Sequence, residues 1–218
     1  MCGRFAFLAS SEEIATAFGL QNVPDFPPRY NIAPSQPVAV IRQLQHQPRE
    51  FRLMQWGLIP SWAKDPSIGY KLINARCETA HEKPAFRSAL KYRRCLIPAS
   101  GFYEWQKIDK STKQPYYFSR AQAKPFALAG LWESWNEIET CTILTTQPNA
   151  VVAPVHQRMP VILDPEDYST WLDFDIQSPK QLFHLFDSER IQHLRATPVS
   201  KLVNNAKVDR PECIKPKP

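Results

Sequence analysis

Glycine is scarce in this 218-residue chain, with 6 glycines against 21 prolines. It has no phosphate-cradling glycine loop and no internal repeat, which sets aside the mononucleotide and dinucleotide-binding folds and the solenoids. No run approaches the 18 or more apolar residues of a membrane-spanning helix, and no basic-then-apolar signal segment precedes Cys2; a cytoplasmic protein with no membrane partner is expected. The five cysteines (Cys2, Cys77, Cys95, Cys141, Cys213) are widely spaced and form no CxxC pair. That spacing argues against a zinc site and a disulfide framework and fits a reducing compartment. Cys77, Cys95, Cys141 and Cys213 read as small buried hydrophobes.

The many prolines break the chain into turns and short extended pieces. Ser10 and Glu13 form a capping box for a helix that ends at Gly19, with Ile14, Ala17 and Phe18 on one face. Strands are expected at Val38–Ile41, Glu50–Trp56, Arg94–Ile97, Gly101–Trp105, Pro115–Ser119, Phe126–Trp132, Thr140–Thr146 and Val161–Leu163. Pro98 is expected to break the chain between the third and fourth of these. Thr79 and Glu82 suggest a second capping box for a basic helix to about Lys91. Asp164-Pro165 and Ser178-Pro179 each read as a cap followed by a first-turn proline. Thr197–Val203 reads as a last extended piece. Strands outnumber helices and do not alternate with them. The expected fold is therefore α+β, a single domain over residues 1–218 with a curved, mostly antiparallel, barrel-like sheet and flanking helices.

The formal net charge is +6. Between Lys71 and Arg94 seven basic residues face only Glu78 and Glu82. Such a window suits either a solvated helix face or an anionic partner.

The chain begins Met1-Cys2-Gly3-Arg4-Phe5. A small second residue normally allows the initiator methionine to be removed, which would leave an amine and a thiol on adjacent carbons. Their unperturbed pKa values are about 8 and about 8.5, so both are partly reactive near neutral pH. Such a pair condenses with an aldehyde to a Schiff base and then a thiazolidine. Three polar residues sit where a strand-rich core would not place them. Asn74 shares a face with Arg76, as a turn residue or as a holder of the N-terminal amine or substrate. Glu104 shares a strand face with Phe102, where burial would raise its pKa, as a salt-bridge partner or a proton shuttle. His156 lies between Pro154 and Pro160, as a core-edge histidine or a second acid. Arg4, Arg76 and Arg158 suit phosphate, and the six tryptophans, Trp62 and Trp105 among them, offer stacking faces for unpaired bases.

With these residues in place, the chain resembles the SRAP family (SOS response-associated peptidases), the abasic-site processing proteins. The resemblance rests on Met1–Phe5, Arg29–Pro34, Trp56–Pro60, Ile73–Thr79, Pro98–Trp105, His156–Pro160 and Pro198–Ser200, in that order, and spans nearly the whole chain. It implies a DNA-repair enzyme acting as a monomer on single-stranded DNA that carries abasic sites. Cys2, after loss of Met1, would form a thiazolidine with the sugar aldehyde. Asn74 would position the amine, Glu104 would transfer protons, and His156 would assist sugar ring opening and reversal. Arg4, Arg76, Arg158 and Thr145 would contact DNA or the lesion, and Trp62 and Trp105 would wedge bases apart. Self-removal of Met1 and an associated lyase activity are implied as well, and no metal or cofactor is called for, because an aldehyde and an amine need only alignment and proton transfer. Two other readings stay open: a cysteine peptidase or N-terminal-nucleophile hydrolase using Cys2, His156 and Asn74 on peptides, and a single-strand-binding module without chemistry.

Overall fold

The chain enters its fold as a three-residue strand, β1 (Phe5–Phe7), followed by a short helix, α1 (Ser11–Phe18). The computed structural model describes residues 2–120 and 125–217, so the expected loss of Met1 lies outside the described residues. The first capping box forms as read: the Ser10 hydroxyl accepts from the Glu13 N–H at 3.2 Å, and the Glu13 carboxylate accepts from the Ser10 N–H at 2.8 Å. Gly19 closes the helix in the left-handed region, at φ 67°. Ser10→Ala should therefore lower stability by about 1 kcal/mol, read as a shift in the urea midpoint at constant slope.

Thirteen strands form among the described residues. After β1 come β2 (Arg29–Ile32), β3 (Pro37–Gln43), β4 (Arg49–Trp56) and β5 (Asn74–Arg76). A six-residue helix, α2 (Arg87–Tyr92), leads to β6 (Arg94–Ala99), β7 (Gly101–Lys107), β8 (Lys113–Arg120), β9 (Phe126–Trp135) and β10 (Ile138–Thr146). The short strands β11 (Met159–Pro160) and β12 (Ile162–Leu163), the helix α3 (Tyr168–Leu172) and β13 (Leu194–Pro198) complete the set.

Five strands close a barrel. β10 pairs with β4, β4 with β3, β3 with β6, β6 with β9, and β9 returns to β10. Every pairing in that ring is antiparallel except β10 with β4, and β5 adds to β10 in parallel as well. A second sheet, wholly antiparallel, runs in the order β13-β8-β7-β1-β2. The expected α+β class and curved, barrel-like sheet are thus found. Val38 to Ile41 are buried without a break, because the barrel wraps one face of β3 and surrounding elements cover the other.

Four local expectations need correction. Pro98 does not break a strand: it lies within β6 opposite Ala127, and the break falls at Ser100, where the chain passes from the barrel to the second sheet. The Thr79–Glu82 capping box does not form; successive turns occupy residues 77–86, and the helix starts only at Arg87 with no side-chain cap. Pro84 accounts for this, since it disfavours helical Lys83 and lacks the N–H a helix begun at Thr79 would need. Neither Asp164 nor Ser178 caps a helix with its side chain; the first leads a 3-10 turn into α3, and the second starts a 3-10 helix over Pro179–Phe186. The Asp164 carboxylate instead pairs with Arg120. Last, the strand at Thr197 ends at Pro198, and Lys201–Asn204 forms a 3-10 turn.

The main core lies inside and around the barrel. A second, smaller cluster (Ala6, Tyr103, Tyr117, Val199, Val203) sits on the other side of the second sheet, where the C-terminal segment is layered over β7 and β8. Strand β7 therefore divides its side chains between two environments. Gly101 makes the close packing there possible: a Cβ at that position would stand 2.4 Å from the Tyr117 ring and 2.5 Å from the Phe118 carbonyl. Among the described residues no helix is long and apolar enough to cross a membrane.

Candidate functional site

Alternation along β7 turns Phe102 and Glu104 to one face and Tyr103 and Trp105 to the other. Glu104 is 2% exposed. Burial pushes its carboxyl up to about 7, as the sequence position suggested. Opposite it stands His156: its Nε2 lies 3.7 Å from Glu104 Oε2. Partial burial lowers the His156 pKa, and the nearby charge of Lys113 acts in the same direction. Near neutral pH the imidazole is therefore mostly neutral, facing a carboxyl poised to gain or lose a proton.

The rigidity expected for the His156 segment comes from more than its prolines. Asn149 Oδ1 accepts from the Val151 and Val152 N–H groups, and the His156 N–H bonds to the Val152 carbonyl at 3.0 Å. His156 Nδ1 contacts the backbone of Arg158 at 3.0 Å. Gln106, two residues beyond Glu104, donates from Nε2 to the Pro154 carbonyl at 3.0 Å and accepts from the Tyr116 hydroxyl at 3.2 Å. The carboxyl and the imidazole are thus tied through one strand.

The second residue of the chain reaches the same place. Strand β1 lies antiparallel to β7, and the Tyr103 N–H donates to the Arg4 carbonyl at 2.9 Å. Cys2 is fully buried, and its thiol lies 3.9 Å from the Arg4 carbonyl. Burial raises the thiol pKa far above its ordinary value, and the charge of Glu104 adds to the effect. Asn74 Nδ2 donates to the Cys2 carbonyl at 2.8 Å, from the strand β5 that adds to the barrel at β10. Asn74 Oδ1 is buried and has no hydrogen-bond partner among the described residues. Four segments distant in sequence thus supply Cys2, Asn74, Glu104 and His156.

The other expected contacts differ in availability. Trp62 is 58% exposed, on a loop pinned by Trp135 Nε1 to the Ala63 carbonyl at 2.7 Å and by the Ile59 N–H to Thr140 Oγ1 at 2.9 Å. Arg76 is exposed at the end of β5. Trp105 is half-buried, held by its Nε1 to Asn204 Oδ1 at 2.7 Å, with the Arg4 guanidinium 6.0 Å from its ring centroid. Arg4 Nη1 is committed to Asn31 Oδ1 at 2.7 Å and the Val203 carbonyl at 2.6 Å. Arg158 makes a two-pronged pair with Glu78 at 2.5 and 2.8 Å and a third bond to the Thr145 carbonyl. That pair ties the His156 segment to the segment following Asn74. Thr145 is 1% exposed, behind Arg158 rather than at the surface. Trp56, Trp132 and Trp171 are buried and offer no stacking face. The basic window also thins: Arg94 is buried against the carbonyls of Leu90, Lys91, Trp171 and Asp173, and Arg93 pairs with Glu133.

Some structural supports could not be read from the sequence. Asn31 is fully buried and holds the Val203, Asn205 and Val208 carbonyls as well as Arg4. Asp209 accepts from the N–H groups of Tyr30 and Asn31 and pairs with Arg29. Apart from Arg4, these contacts join residues over 170 positions apart, beyond any local pattern. The one sequence signal for Asn31 is its place within Arg29–Pro34. All five cysteines are unpaired thiols, and no cluster of three potential metal ligands occurs among the described residues.

Comparison with known proteins gives consistent results. Residues 1–206 match the SOS response associated peptidase (SRAP) family. The abasic site processing protein YoqW of Bacillus subtilis is 44% identical over 222 residues, covering 98% of this chain and 99% of that one. The abasic site processing protein HMCES of Xenopus tropicalis is 32% identical over 263 residues, covering 98% of this chain and 78% of its own. A crystal structure of a Bacteroides thetaiotaomicron protein superposes with a TM-score of 0.85 at 24% identity, covering 99% of this chain and all of that one; at that identity it speaks to the fold alone.

Proposed function

The chain belongs to the SOS response associated peptidase (SRAP) family, and on that basis we propose that it processes abasic sites in single-stranded DNA by bonding to them covalently through Cys2. The observation that carries this reading is the Asn74 hydrogen bond to the Cys2 carbonyl. It anchors the second residue beside a buried carboxyl whose pKa is pushed up to about 7. A nucleophile on the second residue has a use for such a setting; an incidental one does not.

Removal of Met1, by the protein itself or otherwise, frees the Cys2 α-amine. Asn74 then holds that residue by its carbonyl, and its unpartnered Oδ1 accepts from the amine. An abasic sugar closed as a hemiacetal must open before it can react, and His156 with Glu104 provides the proton relay for that step. The amine adds to the C1′ aldehyde carbon and water leaves, giving an imine. The thiol then adds across the imine: sulfur bonds to C1′, and its proton passes to nitrogen through Glu104. One water is lost overall and no redox change occurs. The raised thiol pKa favours this order, because the thiol remains protonated while the amine attacks. The imine also acidifies the neighbouring C2′ hydrogens, which gives the associated lyase activity its route. Alignment and proton transfer are sufficient for this chemistry.

The DNA would lie over Arg76, the exposed Trp62 and the half-buried Trp105. Arg4 Nη2, which makes no hydrogen bond to the described residues, would be left for phosphate. Arg158, carried by Thr145 and paired with Glu78, can turn to the lesion only by loosening that pair. Intact-mass measurement of the active protein should show a chain beginning at Cys2, and its adduct with an abasic oligonucleotide should weigh one water less than the two combined. A fully active protein still carrying Met1 would contradict the need for a free amine.

A further inference from the structure

Glu78 takes no step in the proposed reaction, yet it grips a side chain next to it. The Arg158 guanidinium is only 13% exposed and bonds to both oxygens of the Glu78 carboxylate. Glu78 itself comes off a fixed backbone, two residues past β5. The Cys77 N–H before it continues the parallel ladder, donating to the Thr145 carbonyl on β10 at 3.0 Å. That same carbonyl takes Arg158 Nη2 at 2.6 Å. The guanidinium is therefore seated against β10 and closed off by one carboxylate.

What Arg158 holds in turn is the His156 ring. The Arg158 N–H and the Arg158 carbonyl oxygen each lie 3.0 Å from His156 Nδ1. One residue thus offers Nδ1 a donor when the nitrogen is bare and an acceptor when it carries a proton. The ring keeps a partner there in either state, and Nε2 is left facing Glu104 at 3.7 Å. Upstream, the His156 segment is tied by Asn149 and Gln106. Downstream, the chain enters β11 at Met159, opposite Thr146. Arg158 stands between the ring and that strand. Without the carboxylate its mostly buried cation would keep only Thr145, a costly arrangement that turning toward water relieves. Such a turn moves the N–H and the carbonyl that hold the ring.

We propose that Glu78 is a positioning residue for opening of the abasic sugar: by holding the Arg158 side chain, it fixes the residue that orients His156. The proposal rests on the abasic-DNA reading for the step it serves. It gives the ion pair a use while intact, with Arg158 kept on Glu78 until the sugar has opened.

Crosslinking rates of the mature protein at saturating single-stranded oligonucleotide test this with two probes. One bears a central abasic site; the other ends in a 3′-phosphoglycolaldehyde, whose aldehyde has no hydroxyl to close on. E78A should slow the first reaction by about 10-fold or more, the scale of a small misplacement near reacting atoms, and leave the second unchanged. In an H156A background E78A should add nothing, because the ring it positions is gone. Histidine-ring ¹⁵N spectra, assigned with H156A, should show the His156 Nδ1 signal shifted in E78A. E78Q keeps the length and one acceptor; it should show a smaller loss, and it carries the same comparisons if E78A does not fold. Equal slowing with both probes or in both backgrounds, or an unshifted His156 signal, overturns the proposal. A rate at the wild-type level does so too, and a faster one would mean that Glu78 withholds Arg158 from DNA. Wild type that does not crosslink abasic DNA, with the His156 shift in E78A still seen, overturns the abasic-site reading instead.

Discussion

Cys2→Ala should abolish the adduct that survives denaturing electrophoresis, lowering its yield by on the order of 100-fold or more, while leaving a borohydride-trappable one. The two outcomes separate because, in the proposed reaction, the two nucleophiles do separate work. Alanine at the new N-terminus keeps the α-amine, the carbonyl that accepts from Asn74, and hence the imine step. It lacks the sulfur that closes the ring, and an imine in water reverts to amine and aldehyde. In the proposed reaction, ring closure is strongly favoured because thiol and imine carbon belong to one five-membered ring. Well-oriented intramolecular partners have effective concentrations on the order of 10⁵ M or more. The substitution removes a fully buried thiol and should cost only a modest part of the stability, so a folded variant is expected. A denaturation-resistant adduct of wild-type yield from Cys2→Ala would remove the thiazolidine from the mechanism. Loss of the borohydride-trapped species as well would mean that the thiol, and not the amine, makes the first attack.

Where a residue's environment depends on its near neighbours, the sequence was legible. The α1 capping box formed because Ser10 and Glu13 need only each other. The raised pKa of Glu104 followed from strand alternation beside Phe102, a local fact about β7. Thr79 and Glu82 have the same spacing as the first box and fail, because Pro84 two residues on removes a helical N–H; the pattern was read without its interrupter. Pro98 is the opposite case: a residue expected to break a strand sits within one, opposite Ala127. Long-range partners were not legible. Nothing near Arg158 indicates that Glu78 will take its guanidinium, and nothing near Arg94 shows that four carbonyls will bury it. Charge counting therefore overstated the basic surface. The family resemblance brought Cys2, Asn74, Glu104 and His156 together as a set; in the structure the β1–β7 pairing carries Cys2 to the Glu104 strand, and the Asn74 bond to the Cys2 carbonyl brings in β5.

Glu104→Gln should slow crosslinking by about 10²–10³-fold at neutral pH and remove its pH inflection, while changing stability in the opposite sense at high pH. Glutamine keeps the size and one acceptor of the carboxyl but cannot move a proton, and a positioned acid–base group is worth about 10²–10⁴ in rate. In the wild type the reaction rate should rise through about pH 7, where the buried carboxyl ionises, because the proposed relay needs the carboxylate anion to accept a proton. The same shift fixes the stability profile. Between about 4.5, where an unfolded glutamate loses its proton, and about 7, where the native one does, the folded state holds a proton the unfolded state has released. Stability therefore falls as pH rises through that window, by on the order of 3 kcal/mol in total, and the loss is complete above it. The amide that replaces the carboxyl does not titrate, so the variant should lack this decline. Relative to wild type, it should gain urea midpoint between about pH 5 and about pH 8. Parallel midpoint curves for the two proteins would mean that the carboxyl is already ionised at the acid end of that range. An inflection near neutral pH would then belong to His156, and His156→Ala rather than Glu104→Gln should remove it.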